Sequence, residues 1–194
     1  MESGPIGYRW GFTMGRRRIM MLGRLYPTRA FASVTDIGAE ALHEMGIELL
    51  LADVDGTLTG HGLDAVSNDV ALWVGLVKDA GVRVIIVSNS GGDRVRAISD
   101  SLGIDYVEKA GKPLRRGFIA AMAASGAEAG RTAVVGDQLF TDVWGGSRAG
   151  TATFLVDPIP GAETAFIRFK RLLERPILRR VRKRMADGRP PGAL

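Results

Sequence analysis

Between Ile47 and Asp157 short apolar runs alternate with stretches whose apolar residues recur at helical spacing, which predicts a parallel sheet flanked by helices. The runs at 49–53, 82–88, 104–107, 132–136 and 151–156 read as five strands. Over 67–80, Val70, Trp73, Val74 and Val77 share one helical face, and Gly81 stands where a C-terminal cap belongs. Further helices are predicted over 93–102, 113–125 and 138–149, with Pro113 at a permitted first-turn position. Ile37, Ala41, Leu42 and Met45 predict another over 35–46, ahead of the first strand. The expected fold class is α/β, a three-layer α/β/α arrangement around a mostly parallel five-stranded sheet.

In such a Rossmann-like sheet ligands bind beyond the carboxyl ends of the strands, and the polar chemistry of this chain collects there. The first strand exits into Asp53-Val54-Asp55-Gly56-Thr57-Leu58-Thr59. Side chains two apart in an extended segment point the same way, so Asp53 and Asp55 are expected to converge, and Gly56 lets the chain turn away. Two ionised carboxylates so close repel unless a hard cation, Mg2+ by preference, or a shared proton relieves them. An Asp-rich turn without chemistry would read the same way. Ser88 and Asn89 end the second strand with groups that can bind a phosphoryl oxygen or simply cap the next helix. Lys112, beside Pro113, can neutralise phosphate charge and keep Asp53 ionised, with Lys109 as a competitor for the role. Asp137 would complete a metal site. Asp142, about one turn on, can orient Lys112 or a metal-bound water, or merely suit a helix N-terminus.

Together, DVDGT at Asp53, SN at Ser88, KP at Lys112 and GDQLFTD around Asp137 resemble, in order and strand context, the haloacid dehalogenase superfamily of phosphatases. The resemblance implies that Asp53 is a nucleophile forming an aspartyl-phosphate and that Asp55 is the general acid and base. It implies that Thr57 hydrogen-bonds Asp55, Ser88 binds phosphate with Asn89 beside it as a further candidate, Lys112 neutralises charge, and Asp137 ligates Mg2+ with Asp53 and the Asp55 carbonyl. The chemistry is coherent, because a carboxylate nucleophile divides hydrolysis into two displacements while a neighbouring acid first protonates the leaving oxygen and then activates water.

The gaps 59–82 and 90–112 leave no room for a cap domain, and a capless site suits a large substrate whose remainder lies outside. Leu25-Tyr26-Pro27, the Lys112-Pro113 pair, GDQLFTDVWGG at 136–146 and the segment 164–168 resemble the YqeG group of capless phosphatases, itself similar to mitochondrial phosphatidylglycerophosphate phosphatases. That likeness implies a lipid phosphomonoester substrate. Gly56 stands where many relatives carry Asn, a change expected to be tolerated. The alternatives are a soluble nucleotide or sugar phosphate as substrate, or a ribonucleoprotein-docking module with a vestigial site.

Composition narrows the partners. With no cysteine and two histidines among 194 residues, disulfides, thiolate sites and a typical zinc site are excluded, which leaves oxygen ligands. The net charge of +5 divides into +4 over 1–39, −6 over 40–160 and +7 over 161–194. We therefore expect a basic N-terminal arm (1–34), a phosphatase domain (35–160) and a basic tail (161–194). Phe166, Phe169, Leu172, Leu173, Ile177, Val181 and Met185 recur among arginines, a pattern that fits a helix on an anionic membrane and equally one packed on the domain, with Pro176 expected to kink it. Nucleic acid is disfavoured as a partner because aromatic stacking residues are sparse there. Arg16-Arg17-Arg18 precedes too short an apolar patch for a secretion signal, and no run approaches the roughly 18 apolar residues of a spanning helix. The expected location is the cytoplasm, peripheral to the inner face of the membrane.

Overall fold

The computed structural model describes residues 24–162 and 164–187. The basic patch at 16–22, and with it most of the expected N-terminal arm, lies outside them. Six strands form one sheet: β1 (Arg29–Phe31), β2 (Leu49–Ala52), β3 (Arg83–Val87), β4 (Asp105–Val107), β5 (Thr132–Gly136) and β6 (Ala152–Val156). Their order is β1-β6-β5-β2-β3-β4, and every pairing is parallel. The expected count of five omitted β1, whose three residues are too few to show a period. It is an edge strand held by β6, with Thr28 N–H donating to the Thr153 carbonyl at 2.7 Å and Phe31 packing edge-on to Phe154.

The strand interiors read as continuous apolar runs because both sheet faces are covered. Leu50, Ala52, Val84, Ile86, Ala133 and Val135 face one core with Trp73 and Val77 of α2 (Asn68–Asp79) and Ile98 of α3 (Asp93–Leu102), numbering after α1 (Ala39–Glu44). Leu49, Leu51, Ile85, Val87 and Val134 face the other, against Phe118, Ala121 and Met122 of α4 (Arg116–Ser125). Leu49, Leu50 and Leu51 are wholly buried, and each contributes about 1.5–3 kcal/mol by leaving water. The layers are therefore α/β/α, as expected.

Three expected helices differ at their ends. The first is divided: Ser33 caps a short 3-10 turn at Val34–Asp36, and α1 starts only after Gly38. α4 begins three residues after Pro113, because the Lys112 backbone is tied to the Asn89 side chain just beyond β3. Residues 138–149 form a wide π turn at Leu139–Val143 before α5 (Trp144–Ala149). The last helix, α6 (Ala165–Ala186), continues as one element through Pro176.

The domain limits expected near 34 and 160 do not coincide with breaks in packing. β1 belongs to the sheet, and Ile177, Leu178 and Val181 of α6 pack with Leu139, Val143 and Leu155. The buried stripe of α6 runs through Arg171, Glu174, Leu178 and Val181, so Phe169, Leu172 and Leu173 are left 51–56% exposed. No helix among the described residues is long and apolar enough to cross a membrane. β2 lies between β3 and β5, so the chain order reverses beside it, and a crevice opens where the loops after these three strands diverge.

Candidate active site

Asp53 follows β2 directly and is held in line by its N–H donating to the Val135 carbonyl at 3.0 Å. Its carboxylate lies 2.7 Å from Lys112 Nζ, and the same ammonium lies 2.7 Å from Asp142 Oδ1. Asp53 and Lys112 are each only 7% exposed. Asp142 Oδ2 accepts from the Gln138 N–H and from the Thr141 hydroxyl, which fixes the carboxylate that fixes the lysine. Gly136 makes this possible, since a Cβ there would sit 2.3 Å from Asp142 Cγ.

Asn89 places Lys112 from the other side. Its carbonyl accepts the Lys112 N–H at 2.6 Å, and its amide donates to the Lys112 carbonyl at 3.0 Å. The side chain expected to meet phosphate is thus engaged in holding the lysine's backbone. Ser88 is buried, and its oxygen accepts the Ser90 N–H at 3.0 Å, leaving the hydroxyl proton to donate into the crevice.

The two acids of the Asp-Val-Asp string divide. Both line the crevice, but Asp55 turns away from the cluster: both its oxygens take Arg94 Nη2, at 2.6 and 2.7 Å, and Oδ2 also accepts from Ser90 Oγ. Thr57, expected to bond Asp55, has a buried hydroxyl with no hydrogen-bond partner, because Arg94 and Ser90 draw the carboxylate toward α3. Among the described residues, the acids whose ligand atoms lie within 4.8 Å of one another are Asp53, Asp137 and Asp142. Asp55 contributes no carboxylate to that group, so its expected place among the metal ligands rests on its backbone carbonyl.

These three residues fit a hard divalent cation. Asp137 Oδ1 is buried with no hydrogen-bond partner, and a buried carboxylate oxygen is costly to leave so. Burial, then the charge of neighbouring Asp142, pushes Asp137 up to about 7. Burial likewise raises Asp53 to about 7, with Lys112 opposing and Asp142 and Asp137 adding. Burial disfavours the Lys112 ammonium, but Asp142 and Asp53 outweigh it and leave the lysine raised. Between about 4 and 7 the folded, metal-free protein therefore holds protons on Asp53 and Asp137 that the unfolded chain has released, so their contribution to stability falls as pH rises through that window. In chelator, denaturant unfolding at pH 4 and pH 7 should show wild type losing more stability than Asp137→Asn, and Mg2+ should remove the difference. Parallel losses in both proteins would contradict this.

Sequence reasoning missed the contribution of α6. Arg171 Nη2 lies 2.6 Å from Asp137 Oδ2, Lys170 donates to Gln138 Oε1 at 2.7 Å, and wholly buried Glu174 accepts the Phe140 N–H at 2.9 Å. It also missed Arg94 and His61, which line the crevice beside Asp55. The available signal was the pair Arg171 and Glu174 falling at helical spacing with Leu178 and Val181. Gly56 is also less permissive than expected. Its φ is +85°, and a Cβ would stand 2.5 Å from Asp137 Oδ2, so a side chain there must displace a cluster acid.

A buried lysine between two carboxylates, a third acid within reach and a serine hydroxyl, all at the strand ends of a parallel sheet, are groups suited to the chemistry of phosphate esters. The chain belongs to the haloacid dehalogenase-like hydrolases, whose family model matches residues 16–150, and it is a phosphatase of that type. It is 33% identical over 158 residues to the Probable phosphatase YqeG of Bacillus subtilis (strain 168), covering 81% of this chain and 92% of that one. Among solved structures, the cobalt-bound deoxy-D-mannose-octulosonate 8-phosphate phosphatase YrbI of Haemophilus influenzae shares the fold. Its TM-score is 0.50 at 20% identity, over 68% of this chain and 89% of that one.

Proposed function

We propose that the protein is a Mg2+-dependent phosphomonoester hydrolase working through an aspartyl-phosphate on Asp53. The observation that carries this reading is the buried Asp53 carboxylate, aligned by β2 and held by Lys112 at the floor of the crevice. Asp53 attacks phosphorus as the ester P–O bond breaks, and Asp55, once released from Arg94 and Ser90 and carrying a proton, gives that proton to the departing oxygen. Water then attacks the acyl phosphate, returns a proton to Asp55 and releases inorganic phosphate and the Asp53 carboxylate. Lys112 and the Ser88 hydroxyl face the charge gathering on the phosphoryl oxygens, while Asn89 and Asp142 keep the lysine in place. Asp53, Asp137 and the Asp55 carbonyl would hold Mg2+, with Asp142 behind them or joining them. The bound ion would offset the repulsion between the anionic nucleophile and the anionic phosphate.

For the substrate we infer a lipid phosphomonoester, phosphatidylglycerophosphate, met at the inner face of the membrane. The loops at 53–67 and 88–92 carry no cap, so the crevice is open. α6, which lines that crevice with Ile167 and Lys170, exposes Phe169, Leu172 and Leu173 among arginines, a composition suited to an anionic bilayer surface. In mixed micelles with Mg2+, the purified protein should release phosphate from this lipid faster than from soluble sugar or nucleotide monoesters. Rapid hydrolysis of the soluble esters with none of the lipid would overturn the substrate assignment and leave the chemistry standing.

A further inference from the structure

We propose that Arg171, delivered by the C-terminal helix, is a positioning residue that holds the Asp137 carboxylate by one oxygen so that the other faces the cation site. The inference rests on the metal reading given above. Asp137 follows β5, and its side chain is fully buried, so its two oxygens must find partners inside the protein. Oδ2 has the Arg171 guanidinium at 2.6 Å, while Oδ1 has no hydrogen-bond partner and lies in the acid cluster. Arg171 thereby fixes the rotation of a carboxylate for which it is the hydrogen-bonding partner among the described residues. A ligating carboxylate is characteristically hydrogen-bonded from behind in this manner, and losing such a partner degrades the site even though the ligand itself is intact.

α6 is anchored to deliver that contact. Glu174, one turn further along, accepts the N–H of Phe140 in the π turn, Lys170 reaches Gln138, and Ile177, Leu178 and Val181 seat the helix. Three successive contacts thus tie one helix face to the segment 137–140 that carries the ligand. An arginine near a cation also repels it. Here the guanidinium is on the far oxygen, where its charge-assisted, directional hydrogen bond acts on the carboxylate rather than on the ion. Positioning is therefore the larger effect.

The test is calorimetric titration of the full chain with Mg2+ alone, in wild type, Arg171→Met, Arg171→Gln and Arg171→Lys. Arg182→Ala, on the same helix, which breaks an exposed pair with Asp157 just after β6, serves as the control. Mg2+ affinity is expected to fall about 10- to 100-fold in Arg171→Met, to recover in part in Arg171→Lys, and to stay unchanged in Arg182→Ala. Circular dichroism checks folding, and if Arg171→Met does not fold, Arg171→Gln decides. Unchanged Mg2+ affinity in a folded variant would overturn the inference. Tighter binding would also overturn it, by making Arg171 a competitor for Asp137. If wild type itself binds no Mg2+, the metal reading fails first, and the inference fails with it.

Discussion

Asp53→Asn is expected to fold and to release phosphate roughly 10,000-fold more slowly than wild type, or not measurably. The amide is isosteric, so the packing around β2 survives, and Lys112 retains Asp142 as a charged partner. What disappears is the one anionic oxygen aligned to attack phosphorus, and a neutral amide cannot form the acyl phosphate. Burial already disfavours the ionised Asp53 carboxylate, so the metal-free variant should be at least as stable as wild type near pH 7. Phosphate release and denaturant unfolding on the same preparation check both halves. Turnover within tenfold of wild type would remove Asp53 from the chemistry.

Lys112→Met should damage both stability and turnover. The ammonium is the hydrogen-bonding partner shared by Asp53 and Asp142, and removing one member of a buried charged group costs about 3–5 kcal/mol because the others are left uncompensated. Turnover should fall by roughly 100- to 1,000-fold, the usual loss when a preorganised charge facing the transition state is deleted. The double change Lys112→Met with Asp142→Asn separates the effects. It removes one of the stranded carboxylates, so stability should recover substantially, while activity should not. Recovery of activity in the double variant would make Lys112 a structural counterion only.

The chemistry of the strand ends was legible in the sequence because each element there announces itself locally. Leu49, Leu50 and Leu51, or Thr132 through Gly136, are runs that only a strand covered on both faces would carry, and each terminates in an acid or hydroxyl. The partner of each side chain was not legible. Asn89 and Asp55 sit where pattern places them, but a pattern cannot show that Lys112's backbone claims the first or that Arg94, 39 residues further on, claims the second. Arg171 is separated from Asp137 by 34 residues and a strand, so their contact exists only once α6 has docked. The same docking decides the face of α6. Phe169, Leu172 and Leu173 look like its buried stripe by hydropathy, whereas the helix buries Glu174 instead, because that carboxylate finds the Phe140 N–H. β1 escaped notice for the opposite reason, being a three-residue edge strand specified by pairing with β6 rather than by its own composition.

The stereochemical course at phosphorus tests the central claim most directly. Each in-line displacement inverts the phosphorus centre, so attack by Asp53 followed by attack of water on the acyl phosphate predicts overall retention. The measurement uses a phosphorothioate monoester made chiral with oxygen isotopes and hydrolysed in water carrying the third isotope, with the product configuration then assigned. Retention is the predicted result. Inversion would mean that water attacks the ester directly, and it would contradict the account.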